Sequence, residues 1–213
     1  MRKTYIFDFD GTLVDSMPCW AEKMLNILRV CKMDIPEGII RTITPLGDIG
    51  TAKYFRDVLR VPLTEDEMYR LMDEYALPRY RDEIRLKDGV FDCLQALKAA
   101  GCSLNVLTAS PHKMVDPCLK RLGVFDLFDN VWSCDDFGMT KSQKQIYWEA
   151  VQRIGTRVSD AVFLDDNLHA IRTASAAGLY TIGVFDPSSA EDEPEMRLSA
   201  DLYLRSLLGF SGV

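Results

Sequence analysis

The sequence predicts an α/β protein: a doubly wound parallel sheet, interrupted after its first strand by an inserted helical block. Three observations lead there. From about residue 87 onward, short apolar, β-favouring runs alternate with segments of helical period. One further run of this kind, Tyr5-Ile6-Phe7, stands apart near the amino terminus, separated from the rest by a stretch from about 16 to 84 with no convincing strand. Several of these runs end in polar residues able to do chemistry, as expected where a parallel sheet turns its carboxyl edge toward a ligand.

Tyr5–Phe7 has the composition of a strand buried on both faces. It ends in Asp8 and Asp10, which period two places on one side of an extended chain, and Gly11-Thr12 permits a turn directly after them. Helical spacing follows: Asp15 or Ser16 can cap, Pro18 suits a first turn, and Trp20, Met24, Ile27 and Leu28 recur on one face. Thr42 to Gly47 reads as a loop and Ile49 to Leu59 as a helix, while Thr64 with Glu67 gives a capping-box start to a helix reaching about Glu83. Beyond Lys87-Asp88-Gly89 the alternation sets in. A helix from Val90 to Ala100 closes at Gly101, and the strand Ser103–Thr108 follows. Ser110-Pro111 then offers a serine cap and a first-turn proline to a helix ending near Gly123. Val131–Ser133 reads as a strand, Gln143–Ile154 as a helix closed by Gly155, and Ala161–Leu164 as a strand running into Asp165-Asp166. A helix over Leu168–Ala177, closed by Gly178, precedes the strand Tyr180–Val184. After Asp186 the tail is acidic and poorly patterned, with a short edge strand expected near Asp201 to Leu204. The expected organisation is a discontinuous core of 1–15 and 85–213 and a helical domain of 16–84.

With 213 residues and 47% hydrophobic content, the chain has ample material for a packed core. No apolar run approaches the length of a membrane span, and Asp8 breaks the amino-terminal run too early for a secretory signal, so a cytoplasmic location is expected. A net charge of −7 argues against a nucleic-acid partner, and the neighbouring Arg79, Arg81 and Arg85 are interleaved with acidic residues, as on a solvated helix face. The cysteines at 19, 31, 93, 102, 118 and 134 include no Cys-x-x-Cys pair, and with only 2 histidines a zinc site is disfavoured; buried free thiols fit better. A monomer or weak homodimer is expected.

Asp8 and Asp10 close one strand, Thr108 another, and Asp165-Asp166 a third, while Lys141 and Lys144 precede the helix before that third strand. Carboxylates gathered this way repel by several kcal/mol, about 4 kcal/mol for a pair 4 Å apart at an effective dielectric of 20, and so need a cation or a shared proton. An all-oxygen donor set suits Mg²⁺, and a metal with a lysine and a threonine beside a free carboxylate makes a site for a phosphoryl group. The helix starting after Ser110 would point its amino terminus at the same place, which favours an anion.

Asp8-Phe9-Asp10-Gly11-Thr12, Thr108 after a strand, a downstream lysine and Asp165-Asp166 after another strand together resemble the haloacid dehalogenase (HAD) superfamily across essentially the whole chain. The helical insert resembles the branch with a helical cap, which includes phosphoglycolate phosphatases and β-phosphoglucomutases. The resemblance implies a Rossmann-like core and a Mg²⁺-dependent phosphatase acting on a small phosphorylated metabolite. It implies Asp8 as nucleophile, forming an aspartyl phosphate, and Asp10 as general acid and then base. Thr108, Lys141 and the backbone amides near Phe9, Asp10 and Ala109 would hold the phosphoryl oxygens. Asp8, the Asp10 carbonyl and Asp166 would hold the metal, with Asp165 binding it directly or through water. Relatives place prolines after the lysine, whereas this chain reads Lys141-Ser-Gln-Lys144; counting back from Tyr147 favours Lys141, with Lys144 the alternative. In the cap, Thr44, Asp48, Thr51 and Lys53 are the expected specificity residues, and their small, polar character points to a compact substrate other than a nucleotide. Trp20 and Met24 fit cap core better than a substrate-facing surface, His112 fits a solvent-facing helix position better than the site, and His169 fits a surface position or one behind the metal-binding loop.

Two other readings compete. A phosphomutase of the β-phosphoglucomutase kind would carry a histidine where Trp20 stands and an arginine within Thr42–Thr51, and this chain has neither. A non-catalytic phosphate-binding or signalling protein on the same fold would have less reason to keep both Asp8 and Asp10.

Overall fold

The computed structural model describes residues 2–213. The chain divides into two compact units, Met1–Asp15 with Ile84–Val213, and Ser16–Glu83. Ile84 belongs with the first unit, one residue earlier than the sequence suggests. It is 8% exposed, and its carbonyl accepts a hydrogen bond from the Arg121 guanidinium.

The first unit is built on six strands: β1 (Thr4–Phe7), β2 (Ser103–Thr108), β3 (Asn130–Ser133), β4 (Ala161–Asp165), β5 (Tyr180–Val184) and β6 (Leu202–Leu204). All pair in parallel, in the order β3-β2-β1-β4-β5-β6. The order reverses beside β1, where open sheets of this kind leave a crevice at their carboxyl edge. Phe7 pairs with both Val106 and Leu164, so Asp8 and Asp165 leave the sheet side by side, and the Asp8 amide donates to the Leu164 carbonyl at 2.8 Å.

The second unit is helical: α1 (Met17–Val30), α2 (Ile39–Ile43), α3 (Gly47–Asp57) and α4 (Glu65–Asp82). Met24, Ile27 and Leu28 of α1 meet Ile43, Phe55, Met68 and Met72 in its core, which places Met24 among core residues. The capping box at Thr64 forms as its spacing predicts, with the Thr64 amide on Glu67 at 2.8 Å and the Glu67 amide on Thr64 Oγ1 at 3.3 Å. The loop expected from Thr42 is instead helical: α2 runs into a 3₁₀ turn at Thr44–Leu46, and the Thr44 hydroxyl donates back to the Ile40 carbonyl at 2.7 Å.

Around the sheet lie α5 (Val90–Ala99), α6 (His112–Arg121), α7 (Lys144–Ile154), α8 (Leu168–Ala177) and α9 (Glu193–Ser199). On one face Ile6, Leu107 and Phe163 pack with Ile146 and Tyr147 of α7 and Ile171 and Ala174 of α8. Tyr5 and Phe7, pointing the other way by strand alternation, meet the rings of Phe210 and Phe128. The tail departs from its unpatterned reading: α9 seats Met196 against Gly183, where an added Cβ would lie 2.6 Å from Met196 Cγ. Among the described residues, no helix is long and apolar enough to cross a membrane. None of the six cysteines is in a disulfide, and burial pushes the Cys118 and Cys134 thiols up to about 11.

Candidate active site

Three strand ends and the loops after them bring the predicted residues of the first unit to one edge. Asp8, Asp165 and Asp166 are 4%, 0% and 6% exposed, and carboxylate oxygens from all three lie within 4.8 Å of one another. At that distance two unit charges repel by about 3.5 kcal/mol at an effective dielectric of 20, so the cluster needs positive charge. Lys141 supplies part of it, its Nζ lying 2.6 Å from Asp8 Oδ1 and 2.7 Å from Asp165 Oδ2. Its backbone is tied down by Tyr147, whose hydroxyl donates to the Lys141 carbonyl at 2.9 Å. Lys144, at the start of α7, is exposed.

The electrostatics follow from this packing. Burial, reinforced by Asp165 and Asp10 and opposed by Lys141, pushes the Asp8 carboxyl up to about 8. Burial, then Asp165, Asp8 and Asp186, raises Asp166 well above the carboxylate range. Burial works against the charge on Lys141, but Asp165 and Asp8 outweigh it and hold the ammonium above its ordinary range. With all three carboxylates ionised, one ammonium would leave a surplus of negative charge, which only protons or a further cation can remove. Oxygen donors at this spacing, with no thiolate or imidazole among them, fit a hard divalent cation such as Mg²⁺.

Neighbouring groups fix the orientation of these side chains. Asp165 Oδ1 accepts the Asn167 amide at 2.7 Å, so each of its oxygens has a partner, and Asn167 in turn caps α8 by accepting the Ala170 amide at 3.1 Å. The Thr12 hydroxyl donates to Asp166 Oδ1 at 3.1 Å. Gly11, at φ 74°, lets the turn lie against Asp166, since a Cβ there would fall 2.6 Å from Asp166 Oδ2. Thr108, 1% exposed, accepts the Ser110 amide on its hydroxyl at 3.0 Å, which leaves the hydroxyl proton to donate elsewhere. Ala109 is exposed beside it.

Ser110 differs from its sequence reading. The cap of α6 is Pro111, without a side-chain hydrogen bond, and the Ser110 hydroxyl donates instead to Asp10 Oδ2 at 2.5 Å. A hydrogen bond to a carboxylate is stronger than a neutral cap, and it draws the serine toward Asp10. The signal for Ser110 was its position two residues after Thr108; that for Thr12 was its place directly after the Asp-x-Asp-Gly run.

Within the helical unit, Asp48 forms a salt bridge with the buried Lys23 at 2.8 Å and accepts the Trp20 indole N–H at 3.2 Å. Thr51 is fully buried with its hydroxyl on the Ile43 carbonyl at 3.3 Å, while Lys53 is exposed. His169 is exposed on α8, and His112 lies between Asp116 and Asp136.

A family model for haloacid dehalogenase-like hydrolases matches residues 2–178, from β1 through α8. The chain belongs to the haloacid dehalogenase-like hydrolases. This hydrolase is 30% identical over 202 residues to the phosphoglycolate phosphatase of Salmonella choleraesuis, covering 84% of this chain and 79% of that one. It is 26% identical over 208 residues to hexitol phosphatase B of Escherichia coli K12, covering 95% and 91%. Its fold is shared by CbbY from Rhodobacter sphaeroides, solved in complex with phosphate, with a TM-score of 0.84 at 24% identity over 100% and 98% of the two chains.

Proposed function

We propose that this hydrolase is a Mg²⁺-dependent phosphoric monoester hydrolase that works through an aspartyl phosphate on Asp8. The observation that carries the reading is the buried Asp8–Lys141–Asp165 arrangement, with Asp166 alongside, at the carboxyl edge of the sheet. The phosphatases among its relatives support the same class.

An Asp8 carboxylate oxygen attacks phosphorus, and the bond to the leaving oxygen breaks as Asp10 hands it a proton. Asp10, now ionised and held by Ser110, takes a proton from water. The hydroxide so formed attacks the aspartyl phosphate, releasing inorganic phosphate and regenerating the Asp8 carboxylate. Thr108 donates its hydroxyl proton to a phosphoryl oxygen, and the amides of Phe9, Asp10 and Ala109 add donors where charge develops. Lys141 favours ionised Asp8 and bonds the phosphoryl group; Asp165 aims it. Asp8, the Asp10 carbonyl and Asp166 would hold the metal, with Asp165 beside them. Bound there, Mg²⁺ would neutralise the surplus charge, keep Asp8 ionised and withdraw charge from the phosphoryl oxygens.

We assign selection among small phosphorylated metabolites to the helical unit, with Asp48 and Lys53 as its polar candidates and Thr44 and Thr51 shaping the segment between α2 and α3. The test is release of p-nitrophenol from p-nitrophenyl phosphate with and without Mg²⁺, compared with Asp8→Asn. Metal-dependent turnover that Asp8→Asn abolishes is expected; equal rates for the two proteins would sink the reading.

A further inference from the structure

We propose that Lys87 is a positioning residue that clamps the turn carrying Asp10, Gly11 and Thr12. The clamp deepens the phosphatase reading and depends on it for its effect on rate. Lys87 Nζ lies 2.5 Å from the Gly11 carbonyl, 2.7 Å from the Phe185 carbonyl and 2.7 Å from Asp186 Oδ2. An ammonium has three donors, and here each meets an acceptor. Phe185 and Asp186 directly follow β5, which β4 separates from β1. Lys87 therefore ties the catalytic turn to a second point on the sheet edge.

That second point is itself rigid. Asp186 is 1% exposed, and its other oxygen accepts the Ser188 amide at 2.9 Å and hydroxyl at 2.6 Å. At the opposite end, Gly11 touches Asp166, and Thr12 bonds it. Any shift of the Gly11 carbonyl is felt by Asp10 before it in the chain and by Asp166 across from it. The turn's own bonds, Gly11 amide to Val14 carbonyl at 3.0 Å and Val14 amide to Phe9 carbonyl at 3.0 Å, set its shape. Lys87 sets where that shape sits. The Lys87 backbone is held by its own amide, which donates to the Leu13 carbonyl at 3.0 Å, so the side chain can be removed without freeing the segment that carries it.

Lys87, its side chain 17% exposed, also lines a cavity of about 370 Å³ with Thr12, Arg85, Asp186 and Arg205, large enough for a small amine. This permits a rescue experiment. In Lys87→Ala, kcat for p-nitrophenyl phosphate is expected to fall about 10- to 100-fold with KM within about threefold, the range that follows from a misplacement of roughly 1 Å. Ethylammonium, which has N–H donors, should restore kcat at least about fivefold, and tetramethylammonium, which has none, should not. Amide hydrogen exchange at Gly11 and Val14 should rise about tenfold in Lys87→Ala, a readout that needs no activity. If the variant does not fold, Lys87→Met/Asp186→Asn, which leaves no buried lone carboxylate, is read for kcat and exchange in the same way. A folded variant with wild-type kcat and exchange overturns the clamp, as does a loss of kcat that both cations restore equally. An inactive wild type with raised exchange in Lys87→Ala overturns the phosphatase reading and leaves the clamp standing.

Discussion

Replacing Lys141 and Lys144 one at a time separates two lysines three positions apart but in different surroundings. Lys141 is 14% exposed and bonded to two buried carboxylates, whereas Lys144 is exposed on α7. Deleting the first leaves Asp8, Asp165 and Asp166 without their ammonium, and removing one partner of a buried pair costs about 3–5 kcal/mol. Lys141→Ala is expected to lower kcat/KM for p-nitrophenyl phosphate by about 10²- to 10³-fold, as loss of a preorganised charge does, and Lys144→Ala to leave it within about twofold. Steady-state kinetics of the two variants decide the assignment; the reverse pattern would move the role to Lys144.

α6 is joined to the 3₁₀ turn after β3 through His112. Its Nδ1 lies 2.9 Å from Asp116 Oδ1 on the same helix, and its Nε2 lies 2.8 Å from Asp136 Oδ2 in that turn. Both nitrogens can donate only when the ring is protonated, and the bonds to Asp116 and then Asp136 raise its pKa above the ordinary 6.5. The folded protein thus holds this proton more tightly than the unfolded chain. The stabilisation is fully present below pH 6.5 and is lost as pH rises through the raised value. The Tm of wild type should exceed that of His112→Gln most at low pH, with the gap closing as pH rises. A gap that does not change with pH would show that the imidazolium contributes nothing between these elements.

Taken together, the buried carboxylates tie stability to both protons and metal. Asp8 is pushed up to about 8 and Asp166 also lies well above the ordinary 3.8, so without metal the folded protein binds protons that the unfolded chain has released. The stability this contributes is complete below pH 3.8 and is lost as pH climbs through about 8. Mg²⁺ requires the ionised carboxylates, so its binding should expel protons. Titration calorimetry near neutral pH in two buffers of different ionisation enthalpy is expected to show a heat difference corresponding to net proton release and a Tm raised by Mg²⁺. Equal heats in both buffers would mean that the carboxylates are already ionised.

Periodicity and turn chemistry made most of this architecture readable in advance. The apolar runs ending at Asp8, Thr108 and Asp165 mark strands of a parallel sheet, and such a sheet must present its strand ends on one edge, so the acidic cluster followed from local pattern. Other features depend on which distant segments meet. Ser110 reads locally as a helix cap until Asp10 competes for its hydroxyl. α9 has too few residues to show a period, and its place depends on Met196 fitting the space over Gly183. Lys87 reads as a turn residue, and the Gly11 and Phe185 carbonyls that claim its ammonium lie 76 and 98 positions away along the chain. Short-range sequence encodes backbone conformation and burial pattern, whereas the partner of a long polar side chain depends on where the folded chain brings remote backbone groups.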